Sequence, residues 1–325
     1  MVRHAALIGL ALSTMFLSVA AAQTMPATRD ASVPRITADP SFVTVSQGDH
    51  LVFRYRYDGA AKPYVKELFT AKGVNVLLDS PADHVHHRGL MFALGVGQVS
   101  FWIEGDQAGR QIHRSFEPVA GSASAQGGAA SFSEDIDWRG PDDRLVLTER
   151  RTIRLHPDVG APVLLTWVSR LVPAPGAGDV TLTGEHYYGL GMRFVRSMDK
   201  IGRFVNAANA EGEVFRGEER LIAARWCAYL SEVDGRPVTV AMFDPPGNTR
   251  HPATWFTMST PFAYLSATMK LHTEPLVLKQ NTSLELCYGV ALWDGHVDAE
   301  RIEQTCRAWL NDTAVDTGTK SAPKP

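Results

Sequence analysis

The sequence contains little cysteine, which narrows the kinds of protein it can encode. Its 325 residues include three cysteines, at positions 227, 287 and 306. Three are too few for a disulfide framework, and their spacing fits neither a zinc knuckle nor a C-x-x-C redox pair. One bridge with one thiol left over is compatible with an oxidising compartment. Cys287 and Cys306 each lie in an apolar pattern, so we expect them to be small core residues.

An excess of charge of one sign is also missing. The formal net charge is −3, so no basic surplus exists to hold nucleic acid. Walker A, Rossmann and nucleophile-elbow patterns are absent, and the glycines at positions 89, 95 and 97 do not form a phosphate loop. The hydrophobic fraction of 45% is ample for a core. The composition therefore predicts an ordinary globular protein with no nucleic-acid partner and no cofactor that the sequence requires.

Long apolar runs are confined to the N-terminus. Residues 5–20 are apolar, follow Arg3 and His4, and end in alanines at positions 20–22. This pattern predicts a secretory signal peptide over residues 1–22, cut after Ala22, and hence a periplasmic or secreted protein. The alternative is an uncleaved anchor, although the run is short for a spanning helix. We expect no membrane span in the mature chain.

The remaining chain has the pattern of many short strands. Phe53 and Tyr55 alternate with Arg54 and Arg56, and similar runs recur between turn signals as far as residue 293. Because almost no helical periodicity separates them, the pattern favours an antiparallel sandwich or barrel over a βαβ layout. Ile302, Cys306, Trp309 and Leu310 have helical spacing, with Asp298 placed as the cap. We predict a flexible lead-in over residues 23–40, one all-β domain over 41–311 with a short C-terminal helix, and a disordered tail over 312–325.

The densest chemical signal lies at residues 83–89. Asp83, His84, His86, His87 and Arg88 crowd into this stretch. Imidazoles titrate near neutral pH and bind metals when neutral. In an extended segment, His84 and His86 would face one side as an H-x-H chelate and His87 the other. The alternative is a solvated loop whose histidines cap backbone groups.

A second group of polar and aromatic residues spans positions 185–194. Glu185, His186, Tyr188 and Arg193 suit a polyhydroxylated ligand, because aromatic faces stack on sugar C–H groups and charged groups bind hydroxyls. The alternative is that the aromatic residues are strand formers and Arg193 pairs with a structural acid. Arg225 and Trp226 form a weaker candidate pair, since a tryptophan in such a context is more often a core residue.

Two resemblances follow from these residues. The string Ser-Pro-Ala-Asp-His-Val-His-His-Arg-Gly-Leu at 80–90, followed by Phe101 and Trp102, resembles a bacterial family of unknown function labelled methane oxygenase PmoA-like, over residues 40–311. The label implies no such activity here, because the PmoA subunit is an integral membrane protein. Residues 188–194 are similar to a strand of the aldose mutarotases. That similarity implies a β-supersandwich of galactose mutarotase-like type and a sugar groove lined by histidine, arginine and carboxylate, although Arg193 stands where that family has its histidine.

Three functional hypotheses remain open. The first is a carbohydrate-active protein with proton-transfer chemistry, whether epimerase, mutarotase or lyase. Its predicted catalytic residues are His84, His86, His87, Glu185 and His186, and its predicted substrate-binding residues are Asp83, Arg88, Tyr188, Arg193, Arg225 and Trp226. The second is a metal-dependent hydrolase or lyase for an oxidised sugar, with a divalent metal on His84, His86 and Glu185. The third is a glycan-binding module without catalysis. The first two need the two histidine-bearing segments to meet in space.

Overall fold

The computed structural model describes residues 34–117, 129–156, 161 and 163–316. The predicted signal peptide at residues 1–22, the lead-in up to residue 33 and the tail from residue 317 lie outside these ranges. Within the described residues, no helix combines the length and apolar character needed to cross a membrane.

Twenty-two strands and one long helix make up the described chain. In chain order the strands are β1 (Pro34–Ala38), β2 (Phe42–Gln47), β3 (His50–Arg56), β4 (Tyr64–Leu68), β5 (Leu90–Ala93), β6 (Gly95–Val96), β7 (Val99–Ser100), β8 (Arg110–Phe116), β9 (Ala130–Arg139), β10 (Leu145–Leu155), β11 (Val163–Pro173), β12 (Val180–Thr183), β13 (Gly189–Arg193), β14 (Arg203–Asn206), β15 (Glu213–Arg216), β16 (Glu219–Ala223), β17 (Trp226–Val233), β18 (Arg236–Phe243), β19 (Thr254–Met258), β20 (Tyr264–Thr268), β21 (Leu276–Leu278) and β22 (Leu284–Asp294). A 3-10 helix (Arg196–Met198) follows β13, and α1 (Ala299–Asp316) ends the described chain.

The strands form two large antiparallel sheets and one small one. A ten-stranded sheet has the order β1-β2-β3-β4-β5-β13-β20-β19-β16-β15, an eight-stranded sheet the order β14-β17-β18-β22-β11-β10-β9-β8, and a four-stranded sheet the order β21-β12-β6-β7. Aromatic side chains join the two large sheets: the ring of Tyr55 on β3 lies 5.2 Å from that of Phe132 on β9 and 6.4 Å from that of Trp167 on β11. The predicted all-β antiparallel sandwich with a C-terminal helix is confirmed.

Helix α1 packs on the outer face of the eight-stranded sheet. The backbone N–H of Arg301 donates to the Asp298 carboxylate at 2.8 Å, so Asp298 caps the helix as predicted. Ile302, Cys306 and Trp309 are buried against the sheet. Gly289 leaves room for this contact, because a Cβ there would lie 2.9 Å from the Trp309 ring.

Regular structure extends beyond both ends of the domain predicted over residues 41–311. Strand β1 begins at Pro34, inside the predicted lead-in, because its backbone pairs with β2 from Pro34 opposite Gln47 to Ala38 opposite Val43. Helix α1 continues to Asp316, beyond the predicted limit at residue 311. Cys227, Cys287 and Cys306 are free thiols, with Cys287 half-buried and the other two buried.

The space between the sheets also holds a charged network. The fully buried Arg151 guanidinium donates twice to Glu149, at 2.9 and 2.8 Å, and also to the Tyr55 hydroxyl at 3.0 Å. The Tyr55 hydroxyl in turn bonds Glu134, and Glu134 contacts the His113 ring at 2.7 Å. Charges with partners on all sides are the form in which a protein core tolerates them.

Candidate functional site

The predicted histidine cluster lies in a closed loop, residues 79–89, called the His loop here. The backbone N–H of His84 donates to Pro81 O and that of His87 to His84 O, both at 2.9 Å, so two tight turns follow one another. The extended geometry considered for this segment is therefore corrected. The rings of His84 and His87 stack at 4.6 Å, and that of His86 lies 4.8 Å from His87, so all three imidazoles converge.

Backbone conformation and contacts with neighbouring strands define the shape of the His loop. Ser80 has a φ of 48°, and its hydroxyl donates to Val85 O at 2.9 Å across the loop. Gly89 has a φ of 44°, and a Cβ there would lie 2.2 Å from Val65 O, so only glycine fits. The N–H of Arg193 on β13 donates to Gly89 O at 2.9 Å. The His loop and the end of the 185–193 segment therefore meet.

The three imidazoles form one wall of a cavity of about 130 Å³, called the His pocket here. It is lined by His84, His86, His87, Trp102, Tyr187, Arg216, Glu219, Phe256, Met258, Phe262 and Tyr264. The last four come from β19, β20 and the turn between them, while Arg216 and Glu219 come from the β15–β16 hairpin at the edge of the ten-stranded sheet. The pocket thus combines aromatic walls with a few titratable groups, as ligand sites commonly do.

Three residues that line the His pocket each carry a buried polar atom with no hydrogen-bond partner among the described residues: Nδ1 of His87, Nε1 of Trp102 and the hydroxyl of Tyr264. Their side chains are 6%, 0% and 2% exposed. A buried polar group left unpaired costs about 1–3 kcal/mol, and such groups are few in native proteins. These three groups are therefore free to hydrogen-bond with a partner from outside the described chain.

Burial keeps the deeper imidazoles uncharged. Desolvation, together with the charges of His86 and His84, lowers the pKa of His87 to about 2. Desolvation also lowers the pKa of His86. A neutral imidazole has one N–H to donate and one bare nitrogen to accept. Asp83, whose pKa is lowered first by its hydrogen bond with His84 at 3.1 Å, stands behind this wall and also pairs with Arg196 at 3.2 Å.

The pocket lining also includes an oriented carboxylate. Glu219 Oε2 lies 3.0 Å from His186 Nε2, and Glu219 Oε1 accepts from Arg216 at 2.7 Å. Burial lowers the pKa of His186, against the raising effect of Glu219. The other side of the His186 ring stacks on Phe215, with centroids 3.8 Å apart. Because both carboxylate oxygens are held, Glu219 has a fixed direction at the pocket wall.

Glu185, predicted to be the opposing base, is exposed and does not line the His pocket. Its charge acts on Tyr187 and Arg216 from outside. Glu219 takes the position expected for Glu185. Glu219 and Arg216 were not predicted from the sequence, because they flank an ordinary charged turn. The signal for that turn is Gly217 between two strand-like runs.

Arg88 and Tyr188, predicted to bind substrate, contact Trp102 or residues that hold it in the pocket lining. Arg88 makes a bidentate pair with Glu104 at 2.9 and 2.7 Å, and the buried Lys62 donates to Glu104 and to Trp102 O at 3.1 and 3.0 Å. Tyr188 stacks on Trp102 with centroids 4.9 Å apart and planes at 8°. Both residues therefore position Trp102 and do not line the cavity themselves.

Arg193, also predicted to bind substrate, is 1% exposed and lies beneath the pocket. Its guanidinium stands 3.9 Å above the Phe262 ring and has ion pairs with Asp199 and Asp83 at 3.7 and 3.9 Å. This geometry matches the alternative in which Arg193 pairs with structural acids. Its charge also contributes to the low pKa of His87.

Arg225 and Trp226, also predicted to bind substrate, do not line the His pocket. Both donate to Glu303 of helix α1, at 2.9 and 2.8 Å, and so fasten the helix to the eight-stranded sheet. The Trp226 N–H and the Arg225 guanidinium share one carboxylate and so stabilise the helix contact, which depends on residues about 80 positions apart and could not be predicted from a local pattern.

A metal site is not supported by these residues. Across the described ranges, no group of three or more His, Cys, Asp or Glu side chains is arranged to hold a metal ion. The rings of His84 and His87 stack, and the His86 ring lies edge-on to that of His87. The third predicted ligand, Glu185, is exposed and does not line the cavity. The donor set of His84, His86 and Glu185 therefore does not fit a divalent metal, which needs its ligands directed at one point.

The sequence and the fold can also be compared with known proteins. A family model described as a family of unknown function (DUF6807) matches residues 42–307. No curated protein matches the sequence. The match agrees with the sequence resemblance at the level of a family of unknown function, and the PmoA-like label stays a prediction.

Solved structures with some similarity include an alpha-galactosidase from Lactobacillus brevis, with a TM-score of 0.46 and 5% identity over 84% of this chain and 41% of that one. A galactose mutarotase related enzyme from Lactobacillus acidophilus has a TM-score of 0.36 and 7% identity over 81% of this chain and 100% of that one. The chain thus spans less than half the length of the galactosidase. Similarities at these scores assign neither a ligand nor an activity.

Proposed function

This chain belongs to the family of unknown function DUF6807, and on that premise we propose that it is a carbohydrate-active protein that binds a sugar ring in the His pocket. The observation that carries the proposal is the set of unpartnered buried atoms on His87, Trp102 and Tyr264. A purely apolar ligand would leave all three unsatisfied, at a cost of about 1–3 kcal/mol each.

A sugar ring matches both properties of the pocket. Its hydroxyls donate and accept hydrogen bonds, as do the Tyr264 hydroxyl and a neutral His87, while the Trp102 indole donates. Its C–H faces pack on aromatic rings, which Tyr187, Phe256 and Phe262 supply here along with Trp102. The proposal keeps the periplasmic or secreted location that the N-terminal pattern predicts.

The chemistry we propose is proton transfer between opposite walls. Glu219, held by His186 and Arg216, is the candidate base. His86 on the facing wall is a neutral imidazole that takes up a proton at one ring nitrogen and releases one at the other. Groups on both sides of a ring are what epimerisation, mutarotation or elimination requires. Glu219 replaces Glu185 in this role.

The proposal is tested by calorimetric titration of the full chain with a panel of neutral sugars, uronic acids and their methyl glycosides, followed by NMR of each bound sugar in D₂O. We expect saturable binding and, for at least one sugar, deuterium incorporation, anomer exchange or elimination. Glu219→Gln should abolish turnover while binding persists. Glu218→Gln, an exposed carboxylate in the same turn, is the matched control and should behave as the wild type.

The other outcomes separate the alternatives. Binding without any turnover would support the glycan-binding module and contradict catalysis. Turnover that is lost in EDTA and restored by a divalent metal would support the metal-dependent hypothesis. It would also contradict the conclusion that the donor set does not fit a metal. No binding across the panel would contradict a carbohydrate ligand altogether.

A further inference from the structure

A second cavity lies on the other side of the β15–β16 hairpin and is called the hairpin pocket here. Its volume is about 490 Å³, and it is lined by Glu213, Phe215, Leu221, Ile222, Ala223, Thr254, Lys270, His272, Thr273 and Glu274. The same two-stranded hairpin that carries Arg216 and Glu219 into the His pocket therefore also forms a wall of this cavity.

Side-chain contacts join the linings of the two pockets. Glu219 lines the His pocket, its carboxylate contacts the His186 ring at 3.0 Å, and that ring stacks on Phe215, which lines the hairpin pocket. The stacked rings are 3.8 Å apart. His186 therefore links a residue of the His pocket to a residue of the hairpin pocket.

The hairpin itself is irregular at this point. Val214 pairs with Arg220 and Arg216 with Glu219, so Phe215 is the extra residue of a β-bulge. Bulges redirect a side chain and are frequent beside active sites. Phe215 here lies against His186 and still remains 45% exposed. The Phe215 ring therefore packs on one side and keeps part of its surface exposed.

The lining of the hairpin pocket has the mixed character of a sugar site. Phe215 offers an aromatic surface, and Leu221 and Ile222 offer partly buried aliphatic groups. His272 has a ring contact with Phe215 at 5.8 Å between centroids, and its buried Nδ1 has no hydrogen-bond partner within the described part of the chain. Lys270 and other charged or hydroxyl side chains complete the wall. Such a wall offers packing for C–H faces together with partners for hydroxyls.

We infer that the hairpin pocket is a second carbohydrate subsite, so that the ligand of this protein is a disaccharide or longer glycan whose end ring enters the His pocket. The inference rests on the proposed function. The His pocket alone, at about 130 Å³, is smaller than the roughly 300–1,000 Å³ typical of complete small-molecule sites. The hairpin pocket at about 490 Å³ provides the missing room.

The experiment compares the affinity of a methyl glycoside with that of disaccharides containing the same end ring, measured by calorimetry on the full chain. We expect the best disaccharide to bind about tenfold more tightly, the factor that one good hydrogen bond or stacking contact contributes. In His272→Ala and, separately, in Phe215→Ala, the ratio of the two affinities should fall to within about twofold of one. Val214→Ala, on the same hairpin but lining neither pocket, should keep the wild-type ratio.

Three outcomes would overturn the inference. A methyl glycoside and all disaccharides that bind wild-type protein equally would leave the proposed function standing and remove the second subsite. A disaccharide advantage that survives both His272→Ala and Phe215→Ala would place the second ring elsewhere. If no glycoside of either length binds, the proposed function fails, and this inference fails with it.

Discussion

Two regions of this molecule bury polar groups, and they do so in opposite ways. In the network between the sheets, Arg151 donates to Glu149, to the Tyr55 hydroxyl at 3.0 Å, to Pro63 O at 2.8 Å and to Gln111 at 3.1 Å. In the His pocket, His87, Trp102 and Tyr264 each keep a buried polar atom that nothing in the described chain satisfies.

Under the proposed function, this difference separates polar groups that stabilise the fold from polar groups that bind a ligand. Desolvating a polar group is costly, and the network recovers that cost through bonds made within the chain. The His pocket does not, so its unpaired atoms destabilise the free protein and favour any ligand that pairs them. The two regions are both buried, and they differ in whether their polar atoms have hydrogen-bond partners within the described chain.

The largest expected effect is on the network. Arg151→Met leaves the Glu149 carboxylate buried without its charged partner, and breaking such an ion pair costs about 3–5 kcal/mol. We expect the free energy of unfolding in urea to fall by that amount. The neighbouring Arg150→Met, whose side chain is 39% exposed, should cost less than about 1 kcal/mol. Equal losses in the two variants would show that the network does not hold the sheets together.

A smaller effect concerns pH and the His pocket. Burial lowers the pKa of His87 from 6.5 to about 2. Below pH 6.5 the unfolded chain therefore takes up a proton that the folded chain refuses, so stability is lost as the pH falls. His87→Asn should reduce this loss by up to about 1.4 kcal/mol per pH unit, measured by urea unfolding between pH 6.5 and about 4.5. His50→Asn, at an exposed histidine, is the control. A His87→Asn profile parallel to the wild type would contradict a neutral, buried imidazole.

The smallest effect contrasts two buried tyrosines. Tyr264→Phe removes a buried hydroxyl that has no partner in the described structure, so the stability should rise by about 1 kcal/mol while sugar affinity falls about tenfold. Tyr229→Phe removes a hydroxyl that donates to Met198 O at 2.7 Å, so it should cost about 1 kcal/mol of stability and leave affinity unchanged. The reverse pattern would break the distinction between the two kinds of buried group.

The fold could be predicted from local pattern, because strand periodicity is visible in the sequence. In β3, the buried Phe53 and Tyr55 alternate with the half-buried Arg54 and Arg56, as period two requires. The site could be predicted only in part. The crowding of His84, His86 and His87 was visible, but the turns that bring their rings together depend on contacts with β4 and β13.

The missing members of the site come from distant parts of the chain. Glu219 and Arg216 reach the His pocket because the ten-stranded sheet places β16 beside β19, a pairing between distant segments. Arg225 and Trp226 turn to Glu303 because helix α1 packs where they stand. Pairings of this kind follow from the complete packing of the chain, which a local sequence pattern does not contain.

The most direct test follows the indole N–H resonances of Trp102 and Trp138 by NMR while the full chain is titrated with the glycoside panel, each resonance being assigned by its loss in a Trp→Phe variant. The indole of Trp138 donates to Glu149 at 2.9 Å within the network, whereas that of Trp102 has no partner among the described residues. We expect a saturable shift of the Trp102 resonance with at least one glycoside and an unchanged Trp138 resonance. A Trp102 resonance that no glycoside moves would contradict the account.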